Sequence, residues 1–128
     1  MNLEMLLQLF QNNVGGNKMN FYVGNSIDEI DEQDINIEFS DELINYIYLM
    51  RNSVSCNMSK LYQIYPYGDV EVPKNDLPQL AQICKYILDT EMLNNYDEEK
   101  EGIQMVQDLL DIVQKALSNN KELVSIGD

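Results

Sequence analysis

Histidine and tryptophan are absent from this chain of 128 residues, and cysteine and proline occur only two and three times. The lack of histidine excludes Ser-His-Asp and Cys-His catalytic sets and histidine-ligated zinc. No phosphate-binding glycine loop or nucleophile elbow occurs, and Ser53 and Ser55 have no base within their motif. A glycosidase needs only two carboxylates, so 22 acidic residues give that pattern no specificity, and the tryptophans that line sugar clefts are missing. We therefore expect a protein that is not an enzyme.

The two cysteines do not have the spacing of a metal-binding pair. Cys56 lies in a polar segment, whereas Cys84 shares an apolar helical face with Leu80, Ile87 and Leu88. A thiol in such surroundings is typically inert. We expect a buried Cys84 and no structural disulfide.

Basic residues are scarce: eight lysines and arginines stand against 22 aspartates and glutamates, which gives a net charge of −14. This charge opposes binding to nucleic acid, because phosphates would be repelled, and it opposes binding to an anionic membrane. It favours fast encounter with a basic protein and disfavours self-association. We expect a monomer or a weak dimer, and a charge that serves only solubility is the simpler alternative.

Signals for export or membrane insertion are also missing. The N-terminus has no basic region and includes Glu4, and no apolar run approaches the ~20 residues of a membrane span. The sequence predicts a cytoplasmic protein with no membrane contact.

The stretch of residues 27–50 is the most unusual part of the chain, because eight carboxylates precede its most apolar helical run. The eight acids lie within fifteen residues and have no lysine or arginine among them: Asp28, Glu29, Asp31, Glu32, Asp34, Glu38, Asp41 and Glu42. Like charges this close repel unless a cation or a basic partner neutralises them. An EF-hand is excluded, because a loop that opens at Asp28 would place Ile30 and Phe39 at ligand positions. We expect no metal and no cofactor.

The apolar periodicity predicts an α+β fold: a small, mainly antiparallel sheet with three to four helices packed on one side. Alternation predicts strands at 19–23 and 35–39, at Val70 and Val72, and at 123–126, with a further strand at 61–65. Helical spacing predicts helices at 3–10, 43–50, 77–88 and 98–117, with Ser40, Asp76 and Asp97 as N-caps. In the last helix, the predicted core stripe is Ile103, Val106, Leu110, Val113 and Leu117.

The length predicts a single domain over residues 1–128. Within it, the segment 1–18, with an N-terminal helix and the Gly15-Gly16 hinge, is a candidate appendage.

Tyrosine is the other abundant feature, with eight copies, five of them within residues 46–67. Tyrosine is favoured at interfaces because it combines a large contact area with a polar tip. Tyr48 is expected in the core, whereas Tyr65 and Tyr67 flank Pro66 at a predicted turn and are expected to be exposed.

The segments MNFYVGNSIDEI (residues 19–30) and DLPQLAQICKYIL (residues 76–88) resemble parts of small α+β immunity proteins from bacterial contact-dependent inhibition and other polymorphic toxin systems. The resemblance covers about a fifth of the chain. It implies a cytoplasmic inhibitor that binds the C-terminal toxin domain of a secreted effector, often a basic nuclease, and blocks its active site or a nearby surface. The class shares no motif, so no functional residue is transferred. This chain departs from it in the segment before Met19.

Together, these features predict an immunity protein that neutralises a basic toxin domain through an acidic surface with exposed tyrosines. Two alternatives remain open: a nucleic-acid mimic that inhibits a DNA-binding protein, and a non-catalytic adaptor domain. A mimic requires carboxylates spread along an elongated surface, whereas eight of the acids here are clustered. The candidate partner-binding residues are Asp28, Glu29, Asp31, Glu32, Asp34, Glu38, Tyr65 and Tyr67.

Overall fold

A computed structural model describes residues 17–127, which form four β-strands and four α-helices. The strands are β1 (Lys18–Val23), β2 (Asn36–Ser40), β3 (Val70–Val72) and β4 (Leu123–Ile126). The helices are α1 (Asp41–Leu49), α2 (Ser59–Tyr62), α3 (Leu77–Asp89) and α4 (Glu99–Ser118). Single 3₁₀ turns occur at Ile27–Glu29 and Lys74–Asp76. This confirms the predicted α+β class.

The four strands form one sheet in the order β2-β1-β4-β3, and every neighbouring pair is antiparallel. The last strand in the sequence therefore lies at the centre, between β1 and β3. Strand alternation places one set of apolar side chains on a single face of the sheet. That buried set is Met19, Phe21, Phe39, Val72 and Leu123.

The helices cover this apolar face and complete the hydrophobic core. The helix α4 contacts β1, β2 and α3. Buried side chains from α1, α3 and α4 join the strand residues in one cluster, which includes Leu43, Ile47, Leu80, Ile83, Cys84, Val106, Leu109 and Val113. Cys84 and Tyr48 are buried, as predicted.

The start of α1 follows the expected capping chemistry. Ser40 adopts an extended conformation, and its hydroxyl accepts a hydrogen bond from the Leu43 N–H at 3.2 Å. Asp41 and Glu42 then place negative charge in the first turn, where the helix dipole favours it. The predicted N-cap at Ser40 is confirmed.

Of the other two predicted caps, one is correct in position only and one is wrong. Asp76 is at the N-cap position of α3, but it pairs with Lys60 at 3.4 Å and makes no capping hydrogen bond, because the 3₁₀ turn runs directly into α3. Asp97 lies outside α4, which begins at Glu99 without a side-chain cap.

The predicted strand at 61–65 is also wrong, since Ser59–Tyr62 forms the short helix α2. The Asn57 side chain accepts from the Ser59 N–H at 3.0 Å and begins a helical turn there. Leu61 and Ile64, three positions apart, are both buried, which is a helical period rather than an alternating one.

The buried face of α4 is wider than predicted, and the residues at the two ends of the predicted core stripe are exposed. Val106, Leu110 and Val113 are buried as expected, but Ile103 and Leu117 are 41% and 38% exposed. Leu109, Ile112 and Ala116 are buried as well. The cause is that α4 packs on the sheet and on α3 together, so its buried arc is broad.

The predicted N-terminal helix with its Gly15-Gly16 hinge lies outside the described residues. The appendage cannot extend to residue 18, because Lys18 begins β1. None of the helices between residues 17 and 127 has the length and apolar composition needed to cross a membrane.

Candidate functional site

The acidic loop, residues 25–34, crosses the sheet face opposite the helices. Its Ile27 N–H donates a hydrogen bond to the Glu71 carboxylate on β3 at 2.6 Å. Tyr22, Val124 and Glu71 lie side by side across three strands on that face. The pKa of Tyr22 is raised, chiefly by burial and then by the negative charges of the loop acids, of which Glu32 has the largest effect. The loop therefore covers the centre of this face, where Val124 is fully buried.

Several carboxylates of the acidic loop hold its own backbone. Glu29 accepts from the Asn25 N–H at 2.9 Å, and Asp31 accepts from the Gln33 N–H at 2.9 Å. Asp34 accepts from the Asp31 N–H at 3.1 Å. All five acids of the loop, Asp28, Glu29, Asp31, Glu32 and Asp34, are nevertheless exposed.

The two predicted tyrosine anchors differ in accessibility. Tyr65 is 38% exposed and packs edge to face on Tyr67, with ring centroids 5.6 Å apart. Tyr67 is half-buried, and its hydroxyl donates to the fully buried Asp41 carboxylate at 2.9 Å. Burial and this carboxylate raise the pKa of Tyr67 to about 12. The expectation that Tyr67 is an exposed anchor is wrong, because its hydroxyl is hydrogen-bonded to the buried carboxylate of Asp41.

A second acidic surface lies beside the outer edge of β2 and forms a cleft of about 560 Å³, here called the acidic cleft. One wall is β2 with the start of α1, and the other is α4 with the residues just before it. Among the described residues that line it, six are acidic and one, Lys18, is basic. The acidic ones are Glu38, Asp41, Glu42, Glu98, Glu101 and Asp108. Asp41 is fully buried, so five of these carboxylates have access to solvent.

The acidic cleft concentrates negative charge on both walls. Lys18 forms an exposed ion pair with Glu38 at 3.2 Å. On the opposite wall, a hydrogen bond that protonated Glu98 donates to Glu101, together with the charges of Glu101 and Glu42, raises the pKa of Glu98. Two carboxylates that share a hydrogen bond resist simultaneous ionisation. A cation placed there would therefore relieve repulsion on the α4 side.

An aromatic residue, Tyr96, lies between the two walls. Its ring packs edge to face on Tyr46 at 5.1 Å between centroids. It also lies so close to α4 that a Cβ at Gly102 would come within 2.9 Å of the ring. Gly102 thus lets Tyr96 join α1 to α4, which fixes the relative position of the two walls.

The predicted site residues do not form one surface. The five loop acids lie across the sheet from the helices. Glu38, opposite Asn20, is on that same sheet face but also lines the acidic cleft at the edge of β2. Tyr65 and Tyr67 form a turn next to Asp41. Sequence reasoning missed Glu98, Glu101 and Asp108, which lie about sixty residues from β2 in the chain. Their spacing of three and seven residues, which places them on one side of a helix, was the available signal.

Within the part of the chain from 17 to 127, no group of three or more Asp, Glu or Cys side chains is arranged to hold a metal ion. Comparison of the chain with known protein families, characterised proteins and solved structures finds no match in any of the three. The charge and geometry of the two acidic surfaces are therefore the basis for a functional assignment.

Proposed function

We propose that this chain is a cytoplasmic immunity protein that binds and neutralises a basic toxin domain. The observation that supports the proposal best is the acidic cleft, whose described lining includes five accessible carboxylates and a single lysine. Lysine and arginine side chains of a partner are the groups that such a cleft would attract. The toxin domain is proposed to be the C-terminal part of a secreted effector, and the free inhibitor is a monomer or a weak dimer.

The acidic loop has a different part in this proposal. It lies on the face of the sheet opposite the helices and is stabilised by its own carboxylates, so it need not touch a partner seated in the cleft. Long-range steering depends on the summed charge of the whole molecule. The loop acids would thus accelerate encounter, while the cleft carboxylates would form the contacts that hold the complex.

The test begins with recovery of the partner on immobilised full-length chain and continues with the purified pair. The toxin domain is expressed in a bacterial host with and without this chain, and growth is measured. Rescue of growth, together with a complex whose association rate falls as salt rises, is the expected result. A recovered partner that is acidic, or a toxin whose effect is unchanged by the chain, would refute the proposal.

A charge-matched control separates specific inhibition from acidity alone. The double variant Glu101→Gln with Asp108→Asn alters the cleft, and Asp28→Asn with Asp31→Asn removes the same charge from the loop. Growth rescue should weaken more in the cleft variant. Equal weakening in the two variants would mean that net charge, rather than the cleft, determines inhibition.

A further inference from the structure

The strand β2 has one edge with no described partner. Its inner edge pairs with β1, and among residues 17–127 no strand lies on its outer edge. An edge strand presents a row of backbone N–H and C=O groups that can pair with another extended chain. Four residues of this strand line the acidic cleft: Asn36, Ile37, Glu38 and Ser40.

The helix α4 provides a surface beside this edge. Glu101, Met105 and Asp108 are spaced by four and three residues, so they form one row along the helix, and all three line the cleft. A strand added beside β2 at the usual spacing of ~4.8 Å would occupy the space between the edge and this row. The half-buried Met105 lies between the two carboxylates of the row.

We propose that the acidic cleft binds an extended segment of the partner, bearing lysine or arginine, as a fifth strand beside β2. This inference rests on the proposed function and specifies how the same site recognises its partner. Alternate side chains of the added strand would point towards α4. Lysine or arginine at those positions places an aliphatic stem on Met105 and a charged head near Glu101 or Asp108.

Charge complementarity is the reason to assign a basic segment rather than a second copy of this chain. A second copy has a net charge of −14 and would add to the repulsion within the cleft. Glu101 and, to a smaller extent, Glu42 already raise the pKa of Glu98, which reflects a conflict between negative charges on this wall. A cationic side chain removes that conflict, whereas an acidic strand increases it.

The test uses three synthetic peptides of equal length and the full-length chain. One alternates lysine with valine, one alternates lysine with proline, and one alternates glutamate with valine. The lysine–proline peptide has the same charge as the first, but its prolines fix φ at about −65° and hold it in the polyproline II conformation, which disfavours pairing with a β-strand. Binding is measured by titration calorimetry, and amide exchange of β2 is followed by NMR.

The lysine–valine peptide is expected to bind, to slow amide exchange in β2, and to bind about tenfold more tightly than either other peptide. Equal binding of the two lysine peptides would mean charge attraction without strand pairing and would overturn the proposal. Outward-facing β2 amides that are already fully protected in the free chain would also overturn it, because the edge would then be occupied by the chain itself.

Two matched variants locate the binding surface. Glu101→Gln with Asp108→Asn should weaken lysine–valine peptide binding about tenfold, since each exposed ion pair contributes only modestly. Asp28→Asn with Asp31→Asn removes equal charge from the acidic loop and should change binding less than about twofold. Equal effects of the two variants would contradict the assignment to the cleft.

Failure of this inference is distinguishable from failure of the proposed function. If the toxin domain is neutralised with unchanged affinity by the Glu101→Gln, Asp108→Asn variant, the function stands and the strand-pairing mode is wrong. If no toxin is neutralised but the lysine–valine peptide still protects β2, the cleft is a basic-peptide site and the immunity role is wrong.

Discussion

At the scale of the residue, Tyr67 is a turn residue whose side chain is held inside the fold by a hydrogen bond. Its hydroxyl donates to the buried Asp41 carboxylate at 2.9 Å, a hydrogen bond to a charged acceptor. Loss of such a bond costs about 1.5–3 kcal/mol. Tyr67→Phe should therefore lower the free energy of unfolding by that amount in urea denaturation. Tyr62→Phe, which keeps the ring that packs on Tyr48 at 5.2 Å, is the control and should have a smaller effect.

The same hydroxyl predicts a dependence of stability on alkaline pH. Burial and Asp41 raise the pKa of Tyr67 from 10.0 to about 12 in the folded protein, so folding favours the neutral phenol. The associated stabilisation is complete below pH 10 and is lost as pH rises towards 12. Wild type should lose more stability than Tyr67→Phe across that range in thermal denaturation. Cys84, whose pKa is also raised by burial, is present in both proteins and cancels in the comparison. Parallel curves for the two proteins would contradict the assignment.

At the scale of the element, α4 forms both the main core face and one wall of the acidic cleft. Leu110 is 7% exposed, whereas Ile103, on the same helix, is 41% exposed. Leu110→Ala should cost about 2–5 kcal/mol in chemical denaturation because it leaves a cavity. Ile103→Ala should cost well under half as much. Similar losses would mean that the buried arc of α4 has been assigned incorrectly.

The acidic loop is the element whose attachment can be tested by a single change. Its Ile27 N–H donates to Glu71 on β3, and Glu71→Ala removes that acceptor. Hydrogen exchange at Ile27 and its neighbours should accelerate, while global stability changes by less than about 1 kcal/mol. Glu122→Ala, which removes a carboxylate bonded to the Lys74 N–H instead, should leave exchange in the loop unchanged.

Periodicity was sufficient to locate most elements from the sequence. The alternation at 19–23 and at 123–126 predicted β1 and β4, and the helical period predicted α1, α3 and α4. The errors occurred where a segment was too short to define a period, or where tertiary packing gave a side chain a different partner from the one that its local sequence predicted. The segment 61–65 is too short for apolar residues alone to define its period, and Asp76, at the N-cap position of α3, forms an ion pair with Lys60 instead of a capping hydrogen bond.

The acidic cleft could be predicted only in part. Glu38 was identified because it belongs to a dense run of acids, whereas Glu98, Glu101 and Asp108 line the same cleft only after α4 packs against β2. Tyr67 was assigned to the surface because a turn is normally exposed, and nothing local indicates that its hydroxyl reaches Asp41. These arrangements depend on tertiary packing, which cannot be deduced from the spacing of residues along the chain.

At the scale of the whole molecule, the charge of −14 opposes the compact state through self-repulsion. Added salt shortens the Debye length from ~30 Å at 0.01 M to ~8 Å at 0.15 M. The melting temperature should therefore rise over this range. The triple variant Asp31→Asn, Glu32→Gln and Asp34→Asn should rise less, because three charges of the exposed loop are gone and Asn or Gln can still accept the loop hydrogen bonds. A melting temperature that falls with salt would contradict this account.

The same triple variant tests whether the charge of the molecule steers its partner. Its association rate with the recovered toxin domain should fall, and its dissociation rate should change little. Tyr65→Ala should act instead on dissociation if the exposed tyrosine is an anchor. Stopped-flow kinetics at two salt concentrations measures both rates. An unchanged association rate would mean that the loop charge serves solubility alone.

The central position of β4 has a consequence for how the chain is made. Strand β3 pairs only with β4 among the described strands, and β1 gains its second neighbour from the same segment. While the ribosome is still synthesising residues 41–122, β1 and β2 can form a hairpin, but the sheet lacks its centre. Pairings between distant parts of a chain also form slowly. The sheet is therefore expected to be completed only once residues 123–126 have been synthesised. Until then the chain must remain soluble with its core incomplete, and strong mutual repulsion between copies is an advantage during that period.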